Sequence, residues 1–130
     1  MKLLFISIFL VFNSFSADAQ SRLGYTEYDI RNVEFPDEKF TTRFTDDKIK
    51  YIVWENERIV NYYYFDSKGL CNNCFTMPKS VGVLNYYVEK YNNEYVVVSD
   101  TEWKYYTNNG LVLHIKLLFL DGNSYFNYTF

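Results

Sequence analysis

The sequence predicts an α+β domain: one antiparallel sheet of about six to seven short strands, with two helices on one face. Three observations carry this. From Lys39 onward, short runs alternate apolar and polar residues with period two, between turn residues. Over 81–92 the apolar residues recur at helical spacing instead. The later runs are joined by Asn108-Asn109-Gly110 and Asp121-Gly122-Asn123, both hairpin signals.

Taken in order, the chain opens with Met1-Lys2, the apolar run Leu3 to Phe12 and the site Ala17-Asp18-Ala19. A short positive region, an apolar core and an Ala-x-Ala site make residues 1–19 a secretory signal peptide, cleaved after Ala19. The run falls short of the ~20 residues needed to span a bilayer. Residues 20–130 are therefore expected to form a single domain, exported to the periplasm or outside the cell, with no membrane insertion after cleavage. The cleavage site has no cysteine, so the chain is not expected to be a lipoprotein.

Thr26, with Asp29 three residues on, resembles a capping box and predicts a short helix over 27–34, with Ile30 and Val33 on one face. Pro36 ends it, because the residue before proline avoids helical angles. A meander follows: Phe40, Thr42 and Phe44 alternate with Thr41 and Arg43, then Ile49, Tyr51 and Val53 with Lys50, Ile52 and Trp54. The strand 59–65 is apolar or amphipathic on both sides, which belongs to the middle of a sheet. Asp66-Ser67-Lys68-Gly69 is a turn, and the strand resuming at Leu70 is expected to be interrupted at Asn72-Asn73. Thr76 or Ser80 then caps the main helix, whose Val81, Leu84, Val88 and Tyr91 share a face beside Tyr87. Strands 95–99, 101–107, 111–120 and 124–130 complete the chain. The order helix-strands, helix-strands points to a pseudo-repeat.

Composition narrows the function classes. A net charge of −3, unchanged once Lys2 and Asp18 leave with the signal, gives no electrostatic drive toward phosphate backbones, so nucleic acid is not an expected partner. The 14 Tyr, the 2 Trp and the 8 of 12 Phe outside the signal mean that rings rather than leucines fill the core.

Four features could carry chemistry. Cys71-Asn72-Asn73-Cys74 has the spacing of a redox pair, but it ends a strand rather than starting a helix, where the dipole would activate a thiol. In a straight strand the two would lie roughly 10 Å apart, beyond bridging distance, so Asn72-Asn73 must turn the chain for a bond to form. A structural disulfide is the leading expectation, ahead of two unpaired thiols and of redox or metal duty. The single histidine, His114, shares a strand side with Val112, Lys116 and Leu118, and no metal site or cofactor is expected. Glu55 with Glu57, and Asp100 with Glu102, could in principle work as acid and base, but each flanks a turn or neighbours a lysine. No Ser-His-Asp, Cys-His or glycine-rich phosphate motif occurs, so no catalytic residues are assigned.

The fourth feature is the tyrosine surplus. Alternation puts Tyr62 and Tyr64 opposite Tyr63 and Phe65, Tyr106 opposite Trp103 and Tyr105, and Tyr125 opposite Phe126 and Tyr128. Tyr62, Tyr64, Tyr106 and Tyr125 are thus candidates for a binding face; the competing reading makes them rings of a sheet core and its rim. Tyrosine suits surfaces where one end is apolar and the other wet.

Leu23-Gly24-Tyr25-Thr26, Tyr64-Phe65-Asp66-x-x-Gly69-x-Cys71 and Tyr91-Asn92-x-x-Tyr95 before Trp103 resemble segments of small exported α+β proteins of Gram-negative bacteria that open with a Leu-Gly-x-Thr-type helix. That resemblance implies a fold and export, and no particular activity. By element order alone the chain is also similar to β-lactamase-inhibitor-like proteins. The expected function is non-enzymatic binding of a protein or a glycan through the aromatic sheet face. A structural or assembly role in the envelope is the alternative, and thiol-redox chemistry at Cys71 and Cys74 comes third.

Overall fold

The computed structural model describes residues 22–130. The signal peptide expected over 1–19 lies outside the described residues. Eight antiparallel strands form one sheet: β1 (Thr41–Phe44), β2 (Lys50–Glu55), β3 (Ile59–Phe65), β4 (Cys71–Pro78), β5 (Val96–Ser99), β6 (Glu102–Tyr106), β7 (Val112–Leu120) and β8 (Asn123–Thr129). Their spatial order is β1-β2-β3-β4-β8-β7-β6-β5. Two four-stranded meanders thus meet where β4 pairs with β8.

The strand count exceeds the expected six to seven because Asn72-Asn73 does not interrupt the strand. β4 runs on through Phe75 and Thr76 to Pro78. The two asparagines are absorbed by one irregularity: Tyr64 faces Asn73 while Phe65 faces Cys71, so Asn72 is the extra residue of a bulge. Thr76 is consequently a buried strand residue, not a helix cap.

The main helix, α1 (Val81–Glu94), is capped by Ser80, whose hydroxyl accepts from the Val83 amide at 3.2 Å. It carries the chain from the central β4 to the far edge at β5. Its 14 residues, ~21 Å at 1.5 Å rise, are long enough to cross the strands between. Tyr87 packs on Phe126 of β8, Tyr91 on Phe126, Tyr128 and Trp103, and Asn92 accepts from the Trp103 indole on β6. The apolar stripe is shifted from the expected one: Tyr87 and Tyr91 are buried, while Val81 is exposed.

The first predicted helix is a π-helix, Asp29–Glu34. The expectation of two helices is therefore met by only one α-helix. The Thr26 hydroxyl does accept from the Asp29 amide. The Phe35 amide bonds to the Ile30 carbonyl five residues back, and this wider turn separates the two residues expected to share a face. Ile30 is fully buried and Val33 is exposed. The segment is held down by Glu27, which bridges Arg31 and Lys50, and by Arg31, which donates to Thr42.

Both helices cover the same side of the sheet. Tyr63 and Tyr128 both stand directly opposite Cys74, so their side chains share a face. Phe35, just after the π-helix, packs on Tyr63, and Tyr91 of α1 packs on Tyr128. The core lies under them: Ile30, Ile52, Trp54, Tyr63, Trp103, Ile115, Phe126 and Tyr128 are all buried. Each large side chain enclosed there contributes about 1.5–3 kcal/mol. Among the described residues no helix is long and apolar enough to cross a membrane.

Candidate binding face

The other side of the sheet has neither helix over it. Strand pairing lays its side chains out in rows perpendicular to the strands. One row is continuous across seven strands: Thr41, Val53, Tyr62, Phe75, Asn127, Lys116 and Glu102. Beside it run Arg43, Tyr51, Tyr64 and Asn73 from β1 to β4, and Thr129, His114, Lys104 and Val96 from β8 to β5. On the other flank Glu55, Val60 and Met77 face one another, as do Tyr125 and Leu118.

Register therefore puts Tyr62, Tyr64, Tyr125 and Tyr106 on one face, the last through its pairing with Val112. They are not equivalent. Tyr62, Tyr64 and Tyr125 are half-buried in a ring cluster. Tyr64 stacks on Tyr51 with centroids 4.5 Å apart and meets Phe75 edge-on, and Tyr62 lies 6.4 Å from Tyr125. Tyr106 stands apart on β6, 60% exposed. The structure thus brings three of the four together and leaves the fourth outside the cluster.

Sequence reasoning missed Tyr51 and Phe75 as members. Tyr51 sits in a plain alternation and could have been added once β2 and β3 were paired. Phe75 was hidden by the expected break at Asn72-Asn73; the alternation Asn73, Phe75, Met77 against Cys74 and Thr76 was the signal that could have found it.

The face divides chemically along its rows. Rings and aliphatic groups dominate β2 to β4, with Tyr125 and Leu118 extending them. Beyond β8 come Lys116, Lys104 and His114, with Glu102 opposite Lys116. Asn127 marks the border, its amide donating to the Asn73 side chain at 2.5 Å and to the Cys74 carbonyl at 3.2 Å. Burial pushes the Tyr62 and Tyr64 phenols up from the usual tyrosine range. The Tyr125 phenol adds to this at Tyr62, and the Tyr51 phenol at Tyr64. Both therefore present neutral hydroxyls, able to donate and to accept.

Comparison with protein-family models, curated proteins and solved structures finds no match for this chain. What the face can do must be argued from its own chemistry. An extended surface of half-exposed rings, amides and cations is suited to hold a ligand by contact.

The remaining sequence candidates are dispersed. Glu55 forms an ion pair with Lys79, which holds its carboxyl below the usual range. Glu57 lies in the β2–β3 turn. Among the described residues no three of His, Cys, Asp and Glu converge on a metal position. Cys71 and Cys74 are both buried on the helix side, with sulfurs 3.2 Å apart in a thiol–thiol hydrogen bond and no disulfide between them.

Proposed function

We propose that this chain is an exported, non-enzymatic binding protein that holds a protein or a carbohydrate on the uncovered face of its sheet. The observation that carries the reading is the half-exposed cluster of Tyr62, Tyr64 and Tyr125 on the side away from both helices. Rings filling a core would be enclosed; these shelter one another only in part. The cations Lys104 and Lys116 on the same face favour an extended ligand that crosses the strands, with its acidic groups toward β6 and β7. The palindromic strand order supports reading the two halves as a helix-and-meander pseudo-repeat. Thiol-redox chemistry on an external substrate gains no support, since both sulfurs are enclosed.

Affinity electrophoresis of residues 20–130 through gels holding a polyuronate or a neutral glucan tests this. Retardation in the polyuronate gel that is lost in Tyr62→Ser and in Lys116→Gln is the expected result. Absence of retardation in both gels removes the carbohydrate half of the reading. Photo-crosslinking from position 62 in a periplasmic extract then tests the protein half, and a wild-type chain that acquires no adduct removes that as well.

A further inference from the structure

We propose that Cys71 and Cys74 form an intrachain disulfide that locks the β4 bulge. In an undistorted strand, residues three apart point to opposite faces and lie about 10 Å apart. Here Cys71 stands opposite Phe65 and Cys74 opposite Tyr63, with Asn72 as the extra residue between. The bulge therefore puts both cysteines on the helix side, their sulfurs 3.2 Å apart. A disulfide S–S bond is ~2.05 Å long, so closure asks for a movement of about 1.2 Å.

The surroundings hold the pair in place. The Cys71 amide donates to the Tyr25 carbonyl at 2.8 Å, and its carbonyl accepts from the Gly24 amide at 2.7 Å. The segment 22–25 is thus laid along the start of β4. Leu23 and Ile30 belong to the same buried cluster as both cysteines. On the opposite face the bulge positions Asn73, whose side chain accepts from Asn127 and whose Cα lies opposite Tyr64. One bond on the core side would fix the part of β4 that borders the ring cluster. The loop it closes is very short, so its effect is local stiffening of the bulge more than restriction of the unfolded chain.

The oxidant is a low-molecular-weight disulfide or a disulfide-bearing oxidase. One cysteine thiolate attacks the oxidant's sulfur, forming a mixed disulfide and expelling one thiolate. The second cysteine then attacks the mixed disulfide, forms the Cys71–Cys74 bond and expels the other. The two protein thiols give up two electrons and two protons in total, and the oxidant leaves as two thiols. Because both sulfurs are enclosed in the folded chain, the exchange occurs before the segment 22–25 closes over β4.

The test is to refold residues 20–130 with oxidised and reduced glutathione, denature the product without reductant, alkylate it with iodoacetamide and weigh it. The expected product is a monomer carrying no alkyl group, which takes up two after treatment with dithiothreitol. A monomer that takes up two alkyl groups without reduction overturns the assignment. So does a stable glutathione adduct on either cysteine, or a covalent dimer.

Discussion

The hydroxyls of Tyr91 and Tyr128 meet at 2.6 Å inside the core, fastening α1 to the central strand β8. Both rings are fully buried. Each is also packed edge-on against the other, with planes at 90°. A hydrogen bond in such a place is made without competition from water.

Replacing either residue by phenylalanine keeps the ring packing and deletes one hydroxyl of the pair. Each single change is expected to lower stability by about 1 kcal/mol. The double change is expected to cost less than the two single costs combined, because the second substitution has no shared bond left to lose. Urea denaturation of the four proteins measures this, and strictly additive losses would refute the coupling.

The two tryptophans make a second test. The Trp103 indole N–H donates to the Asn92 side chain at 2.8 Å. That of Trp54 is buried with no hydrogen-bond partner among the described residues. Phenylalanine at either position removes the same ring volume, so the difference between the two variants isolates the N–H. Trp103→Phe is expected to be more destabilising than Trp54→Phe by about 2 kcal/mol, since one substitution breaks a bond and the other removes an unmet donor. Equal urea midpoints would show that the Trp54 donor is satisfied.

Most of the sheet was legible because its strands obey alternation and its hairpins have distinctive turn chemistry. Asp121 and Gly122 both take positive φ, 51° and 81°, as the tight hairpin between β7 and β8 requires. Asp66 was equally readable: its side chain accepts from the Lys68 and Leu70 amides, and Gly69 takes the left-handed angle. What escaped was the residue count at Asn72, because a bulge shifts register without changing composition. The π-helix escaped for a similar reason, as its extra residue per turn leaves Ile30 and Val33 at a spacing that also fits an α-helix. Of the candidate face, parity could place Tyr62, Tyr64, Tyr106 and Tyr125. Which of them cluster depended on the order β4-β8, a long-range pairing that local pattern does not encode.

Glu27 offers a pH test of the N-terminal attachment. Burial alone would raise its pKa, but hydrogen bonds and charge from Lys50 and Arg31 outweigh that and hold the carboxyl below its ordinary value of 4.5. A depressed carboxylate contributes stability that is present above the unfolded pKa and is lost as pH falls through the folded one. The group is partly exposed, so Glu27→Gln is expected to cost about 0.5–1 kcal/mol at neutral pH. The gap to wild type should narrow as pH falls below the ordinary 4.5 and through the lower folded pKa. Urea midpoints followed from neutral pH into acid check this, and an undiminished gap in acid would assign the effect to packing.

The alkaline limb tests the ring cluster itself. Burial raises the Tyr62 and Tyr64 phenols above the ordinary 10.0; Tyr125 adds to this at Tyr62 against the pull of Arg43, and Tyr51 adds to it at Tyr64. For an acid whose folded pKa is raised, the folded state keeps its proton longer than the unfolded one. Stability is then full below pH 10 and is lost as pH climbs through the folded pKa. A chain carrying Tyr62→Phe and Tyr64→Phe retains the rings without the ionisable hydroxyls. Its stability relative to wild type should improve between about pH 8 and about pH 10.5, read from thermal melts at the two values. Parallel losses in the two proteins would mean that these phenols titrate as freely as in the unfolded chain. The rings would then be far more open to water than their stacking on Tyr51 and Phe75 implies.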